Sequence, residues 1–244
     1  MALLSSTADN DGRRVRFGTS GIRGVVGADL SIDTCRCAGK SLGAVLGRGA
    51  RVCVARDTRL SGPDVTGWFI DGLLSSGVDV VNIGVAPTPA LAVYTKSGGF
   101  DAGAMITASH NPPQYNGIKL FDSDGIGFSR SREQEVEAVC DAGSFIEGRG
   151  SLERDGSALE RYLEWLPPQV VEAALASPVS LMLDPGNGAA SRFAAEVCRR
   201  LGLKVETVND RPDGRFPGRG PEPNAATLGG TWAALAASEA RLAA

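Results

Sequence analysis

Long apolar runs are missing from this sequence of 244 residues: no stretch approaches the roughly 20 apolar residues that cross a bilayer. Clusters of lysine and arginine are missing as well, and the net charge is −3. These two absences argue against a protein that binds nucleic acid or a membrane surface. The N-terminus has neither a cationic leader nor an apolar segment of signal-peptide length, so we expect a cytoplasmic protein.

Cysteine is scarce and scattered. Cys35 and Cys37 form a close pair, but no second pair follows at a spacing that would complete a zinc site. The odd total also gives no disulfide framework. We therefore expect reduced thiols in or near the core at all five positions, which are Cys35, Cys37, Cys53, Cys140 and Cys198.

The composition that remains is that of a globular protein, with 43% hydrophobic and 22% charged residues. A strand, a turn led by aspartate, a helix, a glycine and a second strand occur at residues 52–83 and again at residues 179–208. This alternation predicts an α/β fold in layered domains, with mixed, mainly parallel sheets between helices. Ligands of such sheets gather where the carboxyl ends of the strands meet the loops.

The composition shifts to glycine, serine and charge at residues 142–156, which predicts a linker. We predict a flexible tail at residues 1–14, a first domain at residues 15–150 and a second domain at residues 157–244. Helices are predicted at residues 31–46, 63–75, 131–141, 158–166, 189–200 and 228–243, with another ending at residue 95. Strands are predicted at residues 51–55, 78–83, 102–106, 118–121, 179–183 and 203–208.

A polar loop at residues 107–120, T-A-S-H-N-P-P-Q-Y-N-G-I-K-L, is the strongest functional signal. It contains a serine, the single histidine of the chain, a rigid diproline and a lysine. An apolar run, Ala102–Ile106, precedes it, and we expect the Asn-Gly pair at residues 116–117 to form a turn into the next strand. Because prolines and exposed polar groups bury little surface, the loop is predicted to be a site with Ser109 at its mouth.

The chemistry that suits this loop is phosphoryl transfer. A phosphorylated Ser109 would present nearly two negative charges, which need cations close by. Lys119 is predicted to face away from Ile118 and Leu120, and hence toward the loop. Arg23 lies among three glycines at residues 17–24, F-G-T-S-G-I-R-G, where backbone N–H groups can approach a phosphate and the guanidinium can act as a charge clamp.

Each of these residues also has a plainer interpretation. Ser109 could be an ordinary turn residue, His110 a structural imidazole and Lys119 a solvated strand residue. The R-D-T-R run at residues 56–59 could be only an ion pair at a helix entry. A serine hydrolase that uses Ser109 and His110 is poorly supported, because the sequence around the serine lacks the Gly-x-Ser-x-Gly elbow.

Taken together, the motifs resemble a known family. T-A-S-H-N-P at residues 107–112, followed by N-G-I-K at residues 116–119, resembles the phosphoserine loop of the alpha-D-phosphohexomutases. This family includes phosphomannomutase, phosphoglucomutase and phosphoglucosamine mutase. The resemblance extends in order from about Val15 to Glu222, through F-G-T-S-G-I-R-G, R-D-T-R-L-S-G, P-T-P and D-P-G-N-G.

The resemblance implies an isomerase of carbohydrate metabolism that interconverts hexose 1-phosphate and hexose 6-phosphate through a hexose 1,6-bisphosphate. It implies that Ser109 carries the phosphoryl group and is a ligand of Mg²⁺. Arg23 and Lys119 would assist proton transfer, and His110 would act beside them. Asn111 would support the loop, and Thr19 and Ser20 would contact phosphate.

The sequence departs from the family in one respect. The family's Asp-x-Asp-x-Asp-Arg metal run lies after the segment that matches residues 221–223, and no aspartate follows Asp213. Family members have four domains, so we expect a complete first domain, a truncated second domain and little turnover by the chain alone. Two alternatives stay open. A partner chain could supply the missing domains, or the chain could be a non-catalytic remnant or sugar-phosphate binding module. The sequence also leaves open which hexose phosphate is the substrate.

Overall fold

The computed structural model describes residues 15–19, 21–176, 179–240 and 242–244. Within them the chain forms eight helices and nine strands. The predicted tail at residues 1–14 lies outside this part. The elements are β1 (Ile22–Val25), α1 (Ile32–Leu46), β2 (Arg51–Arg56), α2 (Gly62–Ser75), β3 (Asp79–Val85), α3 (Thr88–Ser97), β4 (Ala102–Ile106), β5 (Tyr115–Asp122), α4 (Arg130–Ala142), β6 (Leu152–Arg154), α5 (Ala158–Trp165), α6 (Pro168–Ala176), β7 (Ser180–Leu183), α7 (Ser191–Arg200), β8 (Lys204–Thr207), α8 (Gly229–Ala237) and β9 (Leu242–Ala243).

The larger sheet has six strands in the order β1-β5-β4-β2-β3-β6. The pairs β4-β2, β2-β3 and β3-β6 are parallel, whereas β1-β5 and β5-β4 are antiparallel. We call this sheet and helices α1 to α4 the large unit. Its mixed, mainly parallel sheet confirms the predicted fold class.

Alternation along the strands produces two apolar cores, one on each face of the large unit. On β2, Val52 and Val54 belong to the core with α1, α2 and α4, whereas Cys53 and Ala55 belong to the core with α3 and α5. Successive side chains of a strand point to opposite faces, so one strand supplies both cores. The result is a three-layer arrangement with helices on both sides of the sheet.

Helices α1 and α2 approach each other closely because glycines lie at their contact. A Cβ atom on Gly39 would lie 2.2 Å from the carbonyl oxygen of Phe69, and one on Gly72 would lie 2.4 Å from that of Arg36. Helix α1 begins where predicted, since the Ser31 hydroxyl accepts the N–H of Thr34 at 3.1 Å.

The second sheet has three parallel strands in the order β8-β7-β9. We call this sheet and helices α5 to α8 the small unit. Its β7-α7-β8 segment repeats the β2-α2-β3 arrangement of the large unit, which confirms the predicted internal repeat. Every helix in the described part of the chain is too short or too polar to cross a bilayer.

Four predicted features are wrong, and long-range pairing explains each one. The predicted linker contains β6, which pairs with β3, and the predicted helix at 228–243 ends at Ala237 so that β9 can pair with β7. The Asn-Gly pair forms no turn: Asn116 and Gly117 are buried inside β5. Cys37 and Cys140 are not reduced, because a disulfide joins them between α1 and α4.

Besides β9, three elements were not predicted. Strand β1 is short and glycine-flanked, and its partner β5 is almost a hundred residues away. Helix α6 begins at the second proline of a diproline, and β6 has no buried residue of its own in the described structure. Local patterns carry little signal for such elements.

Candidate functional site

The serine loop joins the carboxyl end of β4 to β5, as predicted. Ser109 is exposed and has a φ of 56°, a left-handed conformation that is rare for a residue other than glycine. Its N–H donates to the Thr107 hydroxyl at 2.9 Å, and that hydroxyl donates to Asp57 at 2.6 Å. Asp57 follows β2, the strand next to β4, so two neighbouring strand ends hold the serine.

Arg59 holds the rest of the loop. Its side chain is fully buried, and its Nε donates to the Asp57 carboxylate at 3.0 Å. The four terminal N–H groups donate to main-chain carbonyl oxygens, those of Ser109 (2.9 Å), Asn111 (2.7 Å), Pro112 (2.7 Å) and Tyr115 (2.9 Å). All five N–H donors of the guanidinium are therefore used, which compensates for burying the charge.

The role of Arg59 is not evident from the sequence. An ion pair at a helix entry was one interpretation of residues 56–59, and Arg59 does pair with Asp57 just before α2. The loop that Arg59 binds begins about fifty residues later, so no local pattern links the two. Burial lowers the pKa of Arg59 from its usual value, although Asp57 opposes this effect.

Arg23 and Lys119 lie on the same face of the sheet. Arg23 pairs with Gly117 across β1 and β5, and Lys119 pairs with Met105 across β5 and β4. Ile118 and Leu120 belong to the core on the opposite face, so Lys119 faces away from them as predicted, whereas its approach to the serine loop stays a prediction. A Cβ on Gly117 would lie 2.9 Å from Cγ of Arg23, so this glycine makes room for the arginine to cross the strand.

The guanidinium of Arg23 is incompletely satisfied. Its Nε is buried and has no hydrogen-bond partner within the described residues. Burial lowers the pKa of Arg23 from its usual value. Lys119 lies with Nζ 5.2 Å from the ring centre of Phe121. The two cations on this face would favour an anion, but neither is among the residues that line the cleft next to Ser109.

His110 lies between the two units. Its Nδ1 is 3.4 Å from the Ser109 hydroxyl oxygen, and its Nε2 is 3.7 Å from a carboxylate oxygen of Glu222 in the small unit. All three side chains are accessible to solvent. The main chain of Asn111 supports the loop, since its N–H donates to the Ala108 carbonyl at 3.1 Å.

Of the two predicted phosphate ligands near the N-terminus, Thr19 lies apart from this arrangement. Thr19 is exposed and lines a separate cleft with Arg130 and Glu133. Ser20 lies outside the described residues. Their proposed contacts with phosphate therefore stay predictions.

A cleft of about 460 Å³ separates the units at Ser109. Helices α3 and α7 both begin at its wall, and neither N-cap residue, Pro87 or Ala190, provides a side-chain cap. Uncapped N-terminal N–H groups favour negative charge. Arg219 also lines the cleft, paired with Asp184 at 3.1 Å.

The residues around Ser109 do not form a Mg²⁺ site by themselves. No group of three or more histidine, cysteine, aspartate or glutamate side chains comes together within the described residues. Of the nearby carboxylates, Asp57 is already bound by Arg59 and Thr107, which leaves Glu222. Mg²⁺ prefers six oxygen ligands, so Ser109 could supply one ligand of a set that these residues do not complete.

Comparison with known proteins agrees with this geometry. Residues 14–147 match the family model for phosphoglucomutase/phosphomannomutase, alpha/beta/alpha domain I. Residues 160–244 match the model for alpha/beta/alpha domain II of the same family. The chain belongs to the phosphoglucomutase/phosphomannomutase family. The resemblance to the phosphohexomutases is thereby confirmed.

Relatives within this family cover most of the chain. It is 41% identical over 229 residues to a protein of Methanopyrus kandleri named "Probable phosphoglucosamine mutase", covering 93% of this chain and 50% of that protein. It is 40% identical to a phosphoglucomutase/phosphomannomutase of Thermococcus kodakarensis, and the match covers 88% of this chain and 49% of that protein. The chain spans about half the length of these curated relatives.

A solved structure shares the fold. The crystal structure of a phosphoglucomutase/phosphomannomutase family protein from Burkholderia thailandensis superposes with a TM-score of 0.79 at 35% identity. The superposition covers 92% of this chain and 50% of that structure. The α/β arrangement of both units is thus that of the family.

Proposed function

We propose that this chain provides the phosphoserine part of a phosphohexomutase, an isomerase that interconverts hexose 1-phosphate and hexose 6-phosphate. The observation that carries the proposal is the serine loop. Arg59 and Asp57 hold Ser109 at the mouth of a cleft with two uncapped helix N-termini, and Arg23 and Lys119 lie on the same sheet face. The large unit would correspond to the predicted domain at residues 15–150 together with β6, and the small unit to that at residues 157–244.

In the proposed reaction, phosphorylated Ser109 transfers its phosphoryl group to a hydroxyl of the hexose phosphate. The bond between phosphorus and Oγ breaks, a bond to the sugar oxygen forms, and the sugar hydroxyl loses its proton. The hexose 1,6-bisphosphate then reorients, and its other phosphoryl group is transferred back to Ser109. Arg23 and Lys119 would stabilise the transferred group and pass the proton, because positive charge and positioning dominate this chemistry.

His110 would receive or return a proton at the serine. When Ser109 is unphosphorylated, its hydroxyl must lose a proton to accept a phosphoryl group, and the Nδ1 of His110 is the nearby basic atom at 3.4 Å. Mg²⁺ would neutralise phosphate charge with Ser109 as one ligand. Further ligands, and the groups that recognise the hexose, would come from a partner chain or from further sequence. The cytoplasmic location stays a prediction.

Labelling with phosphate tests the proposal. The purified chain is incubated with radiolabelled hexose 1,6-bisphosphate and Mg²⁺, and intact-mass analysis and peptide mapping locate the phosphoryl group. We expect label on Ser109, loss of label in Ser109→Ala, and full labelling in Ser131→Ala, an exposed serine on α4 that serves as the control.

The alternative is a non-catalytic sugar-phosphate binding module of the same family. Saturable binding of the bisphosphate without transfer to Ser109 would favour that alternative. If the chain is neither labelled by the bisphosphate nor binds it, both the proposal and the alternative are contradicted. Mutase turnover, followed by coupled detection of hexose 6-phosphate, then shows whether the chain alone or only a mixture with a partner chain completes the cycle.

A further inference from the structure

The small unit reaches the residue that holds the serine loop. Residues 213–216 form a turn that lies on the segment between β2 and α2, and the ring centre of Phe216 is 5.2 Å from the guanidinium carbon of Arg59. Phe216 is 6% exposed. A Cβ on Gly214 would lie 2.4 Å from the carbonyl oxygen of Thr58, so the turn fits against this segment without space for a side chain.

Hydrogen bonds fix the position of this turn. The Thr58 hydroxyl donates to the carbonyl oxygen of Asn187 at 2.9 Å. The same carbonyl oxygen accepts the N–H of Asp213 at 3.1 Å. One atom of the small unit therefore binds both the segment that contains Arg59 and the turn that covers it.

The serine loop needs this support. Four carbonyl oxygens, from Ser109 to Tyr115, accept hydrogen bonds from Arg59, so a single side chain joins the loop to the first residue of β5. Ser109 is also in a left-handed conformation, which persists only where surrounding contacts determine it. A guanidinium that is covered by an aromatic ring and shielded from water keeps its hydrogen bonds to the loop.

We propose that Arg59 is the positioning residue of Ser109 and that the small unit holds Arg59 in place through Phe216. The inference rests on the proposed function, in which Ser109 carries the phosphoryl group. Its consequence is that the serine adopts the reactive position only when the small unit is docked. Phe216, on a different unit and more than a hundred residues from Ser109, thereby controls the rate of phosphoryl transfer.

Two variants and a matched control test the inference in the full chain. Arg59→Lys keeps the charge but cannot form the five-donor fork, and Phe216→Leu keeps an apolar cover but removes the ring. Arg51→Lys is the control, because the guanidinium carbon of Arg51 is 4.6 Å from the ring centre of Phe100 at the opposite end of β2. Hydrogen exchange of the loop amides and the rate of Ser109 labelling by hexose 1,6-bisphosphate are measured for each.

In Arg59→Lys we expect exchange at residues 108–115 to accelerate about tenfold or more, the effect of losing a charge-assisted hydrogen bond. The maximal labelling rate should fall about a hundredfold, as for a misplaced reacting group, while the half-saturating bisphosphate concentration stays unchanged. Phe216→Leu should also accelerate loop exchange and lower the maximal labelling rate, each by a smaller factor. Arg51→Lys should change neither.

Unchanged loop exchange in a folded Arg59→Lys and in Phe216→Leu would overturn the inference. If Arg59→Lys does not fold, Phe216→Leu decides alone. An equal effect of Arg51→Lys would also overturn it, because the response would then be general. The two proposals can also fail separately. If the variants show faster loop exchange but the wild-type chain is never labelled at Ser109, the positioning role is supported and the proposed function is contradicted.

Discussion

The large and small units differ in what stabilises them. Helix α1 buries eight residues, and Leu73 and Leu42 of the large unit are fully buried. Among the described residues of the small unit, α6 buries none and α8 buries only Thr231. The large unit is thus stabilised chiefly by apolar burial, the dominant favourable contribution to folding.

The small unit is organised around a buried carboxylate. Asp184 accepts hydrogen bonds from the Gly186 N–H and from Asn209, each at 3.0 Å, and from the Thr231 hydroxyl. Arg219 pairs with it at 3.1 Å. A polar network can thus specify the shape of a unit that has little apolar core, and we expect this unit to be the less stable of the two.

Matched leucine truncations provide the largest test of this comparison. Leu73→Ala in α2 should lower the free energy of unfolding by about 4 kcal/mol, because a fully buried side chain leaves a cavity. Leu183→Ala in β7, at a 7% exposed position, should cost about 2 kcal/mol. Urea unfolding followed by circular dichroism measures both. Equal losses would show that the two cores are equivalent and that the comparison is wrong.

The disulfide is a second difference between the units, because it links residues of the large unit alone. Cys37 and Cys140 are 103 residues apart, and reduction should lower the free energy of unfolding by about 3 kcal/mol. Thiol titration of the denatured, unreduced chain should find three free cysteines, namely Cys35, Cys53 and Cys198. A count of five would contradict the disulfide. Cys198→Ser should leave the effect of reductant unchanged.

A smaller effect is expected from the small unit's carboxylate. Asp184→Asn should cost about 2 kcal/mol, since it weakens hydrogen bonds to a charged acceptor and removes the partner of Arg219. Burial would raise the pKa of Asp184, but the hydrogen bonds from Thr231 and Asn209 outweigh it and the pKa lies below 3.8. Its stabilising effect is therefore complete above that pH and is lost as the pH falls through the lowered pKa.

Stability measured against pH checks this assignment. Wild-type protein should lose stability below about pH 4, and Asp184→Asn should show a shallower loss over the same range. Asp141→Asn is the control, because Asp141 forms a half-exposed pair with Arg16 and should contribute less than about 1 kcal/mol. Identical pH profiles for wild type and Asp184→Asn would contradict the role of the buried carboxylate.

Much of the fold follows from local pattern. Helix α1 begins at its predicted cap, Ser31, and strand β4 has the predicted bounds, Ala102–Ile106. The serine loop was also recognisable, because Ser109, His110 and Lys119 lie within a dozen residues. Periodicity and short spacing need no knowledge of distant partners.

Contacts between distant segments decided the rest. Strand β9 exists because residues 242–243 pair with β7, although the preceding residues are rich in alanine, a helix former. Arg59 binds a loop that begins about fifty residues later, and Phe216 of the other unit covers it.

The order of residues was enough to predict the alternation of helices and strands, the polar loop with its serine and the resemblance to the family. Contacts made on folding establish which cation holds that loop, which cysteines join and how the small unit covers Arg59. This division arises because propensity and hydrophobic period act over a few residues. A buried charge, in contrast, depends on every group that folding brings within hydrogen-bonding distance.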